Sequence, residues 1–179
     1  MRNAALIALG FGLLVFQTAV GTLISVHPLA PNLLLPMVIY LGVSHDVHIV
    51  RGAAISFVLG YLLDSFCGSP MGLQTFVLVA TFMVARGAGL RLFMRGPAFQ
   101  ILLTFFVGLL AGGTILALRA IFERPAPFPA GNAWTTVASL VIPSGVTALA
   151  APLVFLAVRR VDALVARRRE DAGSSGAAA

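Results

Sequence analysis

Residues 50–86, VRGAAISFVLGYLLDSFCGSPMGLQTFVLVATFMVAR, hold one carboxylate, Asp64, and no basic residue between Arg51 and Arg86. The run is apolar enough to sit in lipid, and that restricts its backbone to helix or closed barrel. Gly52, Ser56 and Gly60 recur every fourth residue and lead up to Asp64. On a helix this spacing keeps small residues on one slowly turning stripe, against which another helix backbone can come close in lipid. Cys67-Gly68-Ser69-Pro70 is a breaker cluster, and a second apolar helix starts near Met71. The stretch reads as a tight helical hairpin with an acid at its bend. A carboxylate at membrane depth is costly, so it is a functional candidate by default.

The rest of the chain leaves little room for anything but membrane. Only 10% of the 179 residues are charged, against 59% hydrophobic, whereas a soluble domain carries about a quarter charged residues. The net charge of +6 comes from arginine alone. A basic excess can indicate nucleic acid, but these arginines flank apolar segments, and membrane topology and lipid account for them better. The single Cys67 excludes an intrachain disulfide and a cysteine-based metal cluster, and it reads as a small apolar filler.

The hydropathy pattern predicts an all-α integral membrane protein, a six-transmembrane-helix bundle forming one domain over residues 1–170. Spans fall at about 4–26, 31–44, 50–64, 71–86, 97–122 and 134–158, followed by a disordered cytoplasmic tail over 171–179. The first run is too long for the core of a signal peptide and matches the roughly 20 residues a bilayer core requires. The second segment is short and contains Pro36, so it is a thin or tilted helix or half of a re-entrant hairpin. His45, Asp46 and His48 could ligate a metal by residue type, but nothing nearby supplies a further ligand, so the segment reads as an interfacial turn. Neither metal nor cofactor is predicted. Ala8 and Gly12 in the first span, and Gly108 and Gly112 in the fifth, are small-residue pairs suited to helix packing or partner contact. Trp134 fits an interfacial anchor. Pro143 and Pro152 interrupt the last span.

With six spans both termini share one side. That side collects Arg2, Arg51, Arg86, Arg91, Arg95, Arg159, Arg160, Arg167, Arg168 and Arg169, leaving Arg119 and Arg124 opposite. The positive-inside rule then places both termini in the cytoplasm, where the terminal arginines also favour anionic lipid.

Counting helical rise from the cytoplasmic edge puts Gln17 and Asp64 at similar depth, roughly 20 Å in. Gln74, Asn32 and Arg119 belong to the same outer third. These five residues form one polar layer, either a buried polar site facing the outer leaflet or a set of residues that satisfy one another. Asp64 either pairs with Arg119 or accepts hydrogen bonds from Gln17, Gln74 and the backbone of the Gly68–Gly72 turn. No H-E-x-x-H, G-x-S-x-G, P-loop or paired-carboxylate motif is present, so nothing points to catalysis.

The run PNLLLPMVIYLGV, its polar turn, and RGAAISFVLGYLLDSFCGSPMGLQTF together resemble the rod shape-determining membrane protein MreD family. The resemblance rests on Pro31 before a short second segment, on Gly60 and Asp64 as a G-x-x-x-D pair ending the third helix, and on Gly72 closing the next turn. It covers residues 31–86 well and the other spans by length and hydropathy. It implies a non-enzymatic bacterial inner-membrane protein of the cell-elongation machinery. The implied partner is MreC, a single-span protein with a large periplasmic part. The pair would connect MreB filaments to peptidoglycan synthesis by enzymes of the RodA and penicillin-binding type, with no role for nucleic acid. The family is also similar in architecture to the S-components of energy-coupling-factor transporters. The alternative is therefore a substrate-binding subunit of a small-molecule or vitamin uptake transporter.

Overall fold

The computed structural model describes residues 2–23, 32–44, 47–67, 71–89, 96–122 and 133–176. Six helices account for nearly all of them: α1 (Arg2–Leu23), α2 (Leu34–Val43), α3 (Ile49–Cys67), α4 (Leu73–Gly89), α5 (Pro97–Phe122) and α6 (Ala133–Gly176). No strand occurs among the described residues. The stretch Gly68–Pro70, the turn residues His45 and Asp46, Arg91, Arg95, Arg124 and Pro31 lie outside them.

Six helices stand where hydropathy places six spans, and four of them have the length of a span. Windows over Arg2–Gly21, Ile49–Phe66, Ala98–Phe122 and Trp134–Val165 are long and apolar enough to cross a membrane, and α2 and α4 are shorter. At about 1.5 Å per residue, the 10 residues of α2 cover half a bilayer core. Yet α2 is buried along most of its length. A hydrophobic helix buried on all sides belongs in the centre of a bundle, and there a half-length helix is tolerated because protein, not lipid, surrounds its ends. Leu34, Met37, Val38 and Leu41 pack with Leu14 of α1, Leu59 of α3, Phe82 of α4 and Val158 of α6 in one core cluster. Leu35 and Ile39 join Val77, Val107, Ala111 and Phe155 in a second. The outside of the bundle stays apolar, with Phe16, Val50, Phe122, Trp134, Leu149 and Leu153 exposed, as a lipid-covered surface requires.

α3 and α4 form the hairpin. Gly52 faces the Phe82 ring, and a Cβ on Gly60 would lie 2.5 Å from Thr75 Cα. Ser56 is buried and donates its hydroxyl to the Gly52 carbonyl. The small-residue stripe is thus the surface on which α4 rests. α2 and α4 run in the same direction: Leu35 and Val77 line one cavity, and Gly42 meets Phe82 and Ala85 near the other end.

α6 is longer than its apolar stretch. It continues through Pro143 and Pro152 to Gly176, past Val158 and past Asp171, where the composition predicts the ordered chain to end. The prolines bend to tertiary context, and Ser144 donates its hydroxyl to the Leu140 carbonyl in the turn that Pro143 disturbs. Arg2, at the start of α1, makes a two-pronged ion pair with Asp162 in the second half of α6, at 3.0 and 3.4 Å.

Glycine substitutions should separate packing positions from open ones. At Gly60 the obstructing atoms are Thr75 backbone, which cannot rotate away, whereas nothing lies within 4 Å of a Cβ on Gly12. Overpacking costs about 1–3 kcal/mol, so Gly60→Leu should lower the melting temperature of the detergent-solubilised protein by several degrees. Gly12→Leu should leave it unchanged. Equal melting temperatures for the two variants would contradict this packing.

Candidate functional site

The site is a ring of polar side chains at the starts of α2 and α4. Each of these helices opens with backbone N–H groups that have no partner within the helix; the start of α2 is buried at Leu33 and Leu34, whereas α4 opens from exposed Met71 and Gly72 down to buried Thr75. The acceptors come from neighbours. Asp64, 2% exposed, reaches from the end of α3 to the start of α4. Its Oδ2 accepts from the N–H of Gly72 (3.0 Å) and Thr75 (3.1 Å) and from the Thr75 hydroxyl (2.7 Å). Its Oδ1 accepts from the Gln74 N–H (2.9 Å). Asp64 therefore caps α4 from another helix, a charged acceptor at the positive end of the α4 dipole.

The spacing of Gly60 and Asp64 follows from this arrangement. Four residues apart on α3, they lie on one face a turn apart. Gly60 admits the α4 backbone at Thr75, and the carboxylate one turn on receives the N–H groups thereby brought near. Gly72 has φ +96°, a left-handed conformation that a side chain rarely adopts, and it aims its own N–H at the carboxylate.

α2 is capped by two residues far away in sequence. Gln17 of α1 accepts from the Leu33 N–H through Oε1 at 2.9 Å. Thr147 of α6 accepts from the Asn32 N–H through its hydroxyl at 3.1 Å. At its other end α2 presents carbonyls, and Arg86 from the last turn of α4 donates to Ser44 O at 2.6 Å and to Gly42 O at 3.5 Å. A guanidinium suits that position because carbonyl ends carry partial negative charge.

Of the five predicted layer residues, Asp64 and Gln74 meet directly, but Gln74 contributes its backbone N–H; its Oε1 is buried without a partner. Gln17, expected on Asp64, serves Leu33 instead. The Asn32 side chain leaves Oδ1 buried and unpartnered. That residue lines a cavity of about 140 Å³ with Gly108, Ser144 and Thr147 among its walls. Arg119 lines a separate cavity of about 430 Å³ beside Gly72. Thr75, Thr147 and Arg86 escape the sequence reading. The available signal for Arg86 is a basic residue in the last turn of a helix, and for the two threonines a hydroxyl within an apolar run.

The small-residue pairs separate. A Cβ added at Gly108 would lie 3.3 Å from the Ser144 side chain and one at Gly112 would lie 2.8 Å from that of Leu140, so both glycines serve the α5–α6 contact within the chain. Of the two roles open to this pair in sequence, helix packing or partner contact, the structure shows the packing one. Ala8 and Gly12 are exposed. Among the described residues no three of His, Cys, Asp and Glu gather as a metal site; His45 and Asp46 lie outside them.

A family model described as rod shape-determining protein MreD matches residues 3–125, more than half of the chain and all of the α3–α4 hairpin. The chain belongs to the MreD family. No curated protein and no solved structure matches it. Membership in this MreD family makes the chain a membrane component of rod-shape determination, and the family is a structural, shape-determining one.

Substitutions at the cap test its energetics. A buried N–H left without a partner costs about 1–3 kcal/mol. Asp64→Ala removes the acceptor of three N–H groups, of which that of Thr75 is buried, and should destabilise by about 1–3 kcal/mol. Asp64→Asn keeps an oxygen for Gly72 and Thr75 but turns an amide donor toward the Gln74 N–H, so it should cost less than half as much. Thr75→Val should fall near Asp64→Asn. Equilibrium unfolding in mixed micelles would measure the series, and a neutral Asp64→Ala would refute the capping role.

Proposed function

We propose that this chain is a non-enzymatic scaffold of the bacterial cell-elongation machinery, a multi-pass inner-membrane protein that binds an MreC-like single-span periplasmic protein. Through that partner it couples MreB filaments to peptidoglycan synthesis by RodA and penicillin-binding enzymes. The observation that carries the reading is the MreD family match across the capped hairpin. The polar ring fits a structural task, because its hydrogen bonds end on helix termini.

Topology follows from two supports. The Arg2–Asp162 pair ties the start of α1 to the second half of α6, which favours both termini on one side. The arginine asymmetry makes that side cytoplasmic. The partner face follows from what the bundle leaves open. With Gly108 and Gly112 occupied by α6, the face of α1 carrying Ala8 and Gly12 remains, and no atom lies within 4 Å of a Cβ on Gly12. Close backbone approach is what a docking transmembrane helix needs. The uptake alternative finds little support. The cavity of about 140 Å³ within the bundle is smaller than the roughly 300–1,000 Å³ of small-molecule pockets, and the one of about 430 Å³ is walled by exposed Met71, Phe76 and Phe122 rather than enclosed.

Two measurements test this reading. Ala8→Leu and Gly12→Leu should each reduce co-purification of the single-span partner severalfold without changing the melting temperature, whereas Gly112→Leu should act through stability. Undiminished co-purification with both α1 variants would remove α1 as the docking face. For topology, Ser174→Cys and Gly131→Cys in a Cys67→Ser background should label from opposite sides of the membrane. Labelling of both by an impermeant reagent in intact cells would overturn the orientation.

A further inference from the structure

The cavity of about 430 Å³ lies between the start of α4 and the end of α5, walled by Met71, Gly72, Leu73, Phe76, Leu118, Arg119 and Phe122. It has the volume of a ligand site but not the enclosure of one. Met71, Phe76 and Phe122 are 74%, 58% and 80% exposed, so the cavity opens sideways onto the apolar surface of the bundle. Its wall is hydrocarbon except for the Arg119 guanidinium and the backbone at Gly72.

We infer that this groove holds an anionic phospholipid, its acyl chain against Phe76, Leu118 and Phe122 and its phosphate on Arg119. Three features select that occupant. The opening faces the surface that lipid covers, so a chain can enter without leaving the bilayer. The apolar wall gives a free inorganic anion nothing to bind beyond one guanidinium. Arg119 lies in the last turn of α5, the level at which a basic side chain meets headgroups. The inference needs membrane embedding but not the partner assignment of the preceding section. A lipid seated here would bridge α4 and α5 next to the Asp64 cap.

Native mass spectrometry of the full chain, released from neutral detergent at high ammonium acetate concentration, tests the site. High salt screens exposed arginines and so suppresses lipid held only at the surface. Wild-type protein should retain one phosphatidylglycerol at least about tenfold better than phosphatidylcholine of the same chain length. Arg119→Gln should abolish the preference. Leu118→Trp, which fills the cavity and leaves the charge, should weaken retention of the lipid, while Arg160→Gln should leave it intact. Equal retention of the two lipids by wild type, or undiminished phosphatidylglycerol on both Arg119→Gln and Leu118→Trp, would overturn the assignment. Displacement of the lipid by millimolar inorganic phosphate would also overturn it, in favour of a small-anion site.

Discussion

The first N–H groups of a helix have no acceptor in the helix itself, so a helix that starts against its neighbours needs an acceptor brought to it. Asp64 answers that need for α4. One carboxylate from α3 receives the Gly72, Gln74 and Thr75 N–H groups together with the Thr75 hydroxyl. Burial of the acid is tolerable because it is saturated with donors, and those donors are tolerable because the acid is there. Gly60 allows the approach, Gly72 turns the chain, and the rest of the hairpin follows along the Gly52–Ser56 stripe.

The same logic extends to α2. Gln17 and Thr147 supply acceptors at its start, and Arg86 supplies a donor at its end. Each comes from a longer helix or from α4, so α2 is held by α1, α4 and α6 at once. The half-length helix that looks anomalous by hydropathy is the centre of the bundle, its side chains filling both core clusters. Membership in a shape-determining family accords with such a body, whose polar groups hold its own helix ends and whose exposed surface is apolar.

What was legible in sequence is what depends on near neighbours. The hairpin, its acid and its small-residue stripe lie within 40 residues or so and show through i, i+4 spacing. Gln17, Asn32 and Gln74 stand out as polar groups in apolar runs, but their partners do not. Gln17 accepts from the Leu33 N–H rather than meeting Asp64, and the backbone N–H of Asn32 donates to Thr147, 115 residues away, pairings set by packing alone. Gly108 and Gly112 show the same limit: the motif announces a close helix contact but not whether the second helix belongs to this chain or to another. Prolines mislead for a related reason, since α6 keeps its course through Pro143 and Pro152 inside a bundle that supports it.

The central claim is that Asp64 protects the first turn of α4, and amide hydrogen exchange reads that turn directly. In the Asp64→Ala variant, held in the same detergent as the wild type, the amides of residues 72–76 should exchange at least about tenfold faster. Those of residues 80–87, deeper in the same helix, should keep their wild-type rates. Unchanged protection at residues 72–76 would mean that the turn is held by something other than the carboxylate, and would contradict the account.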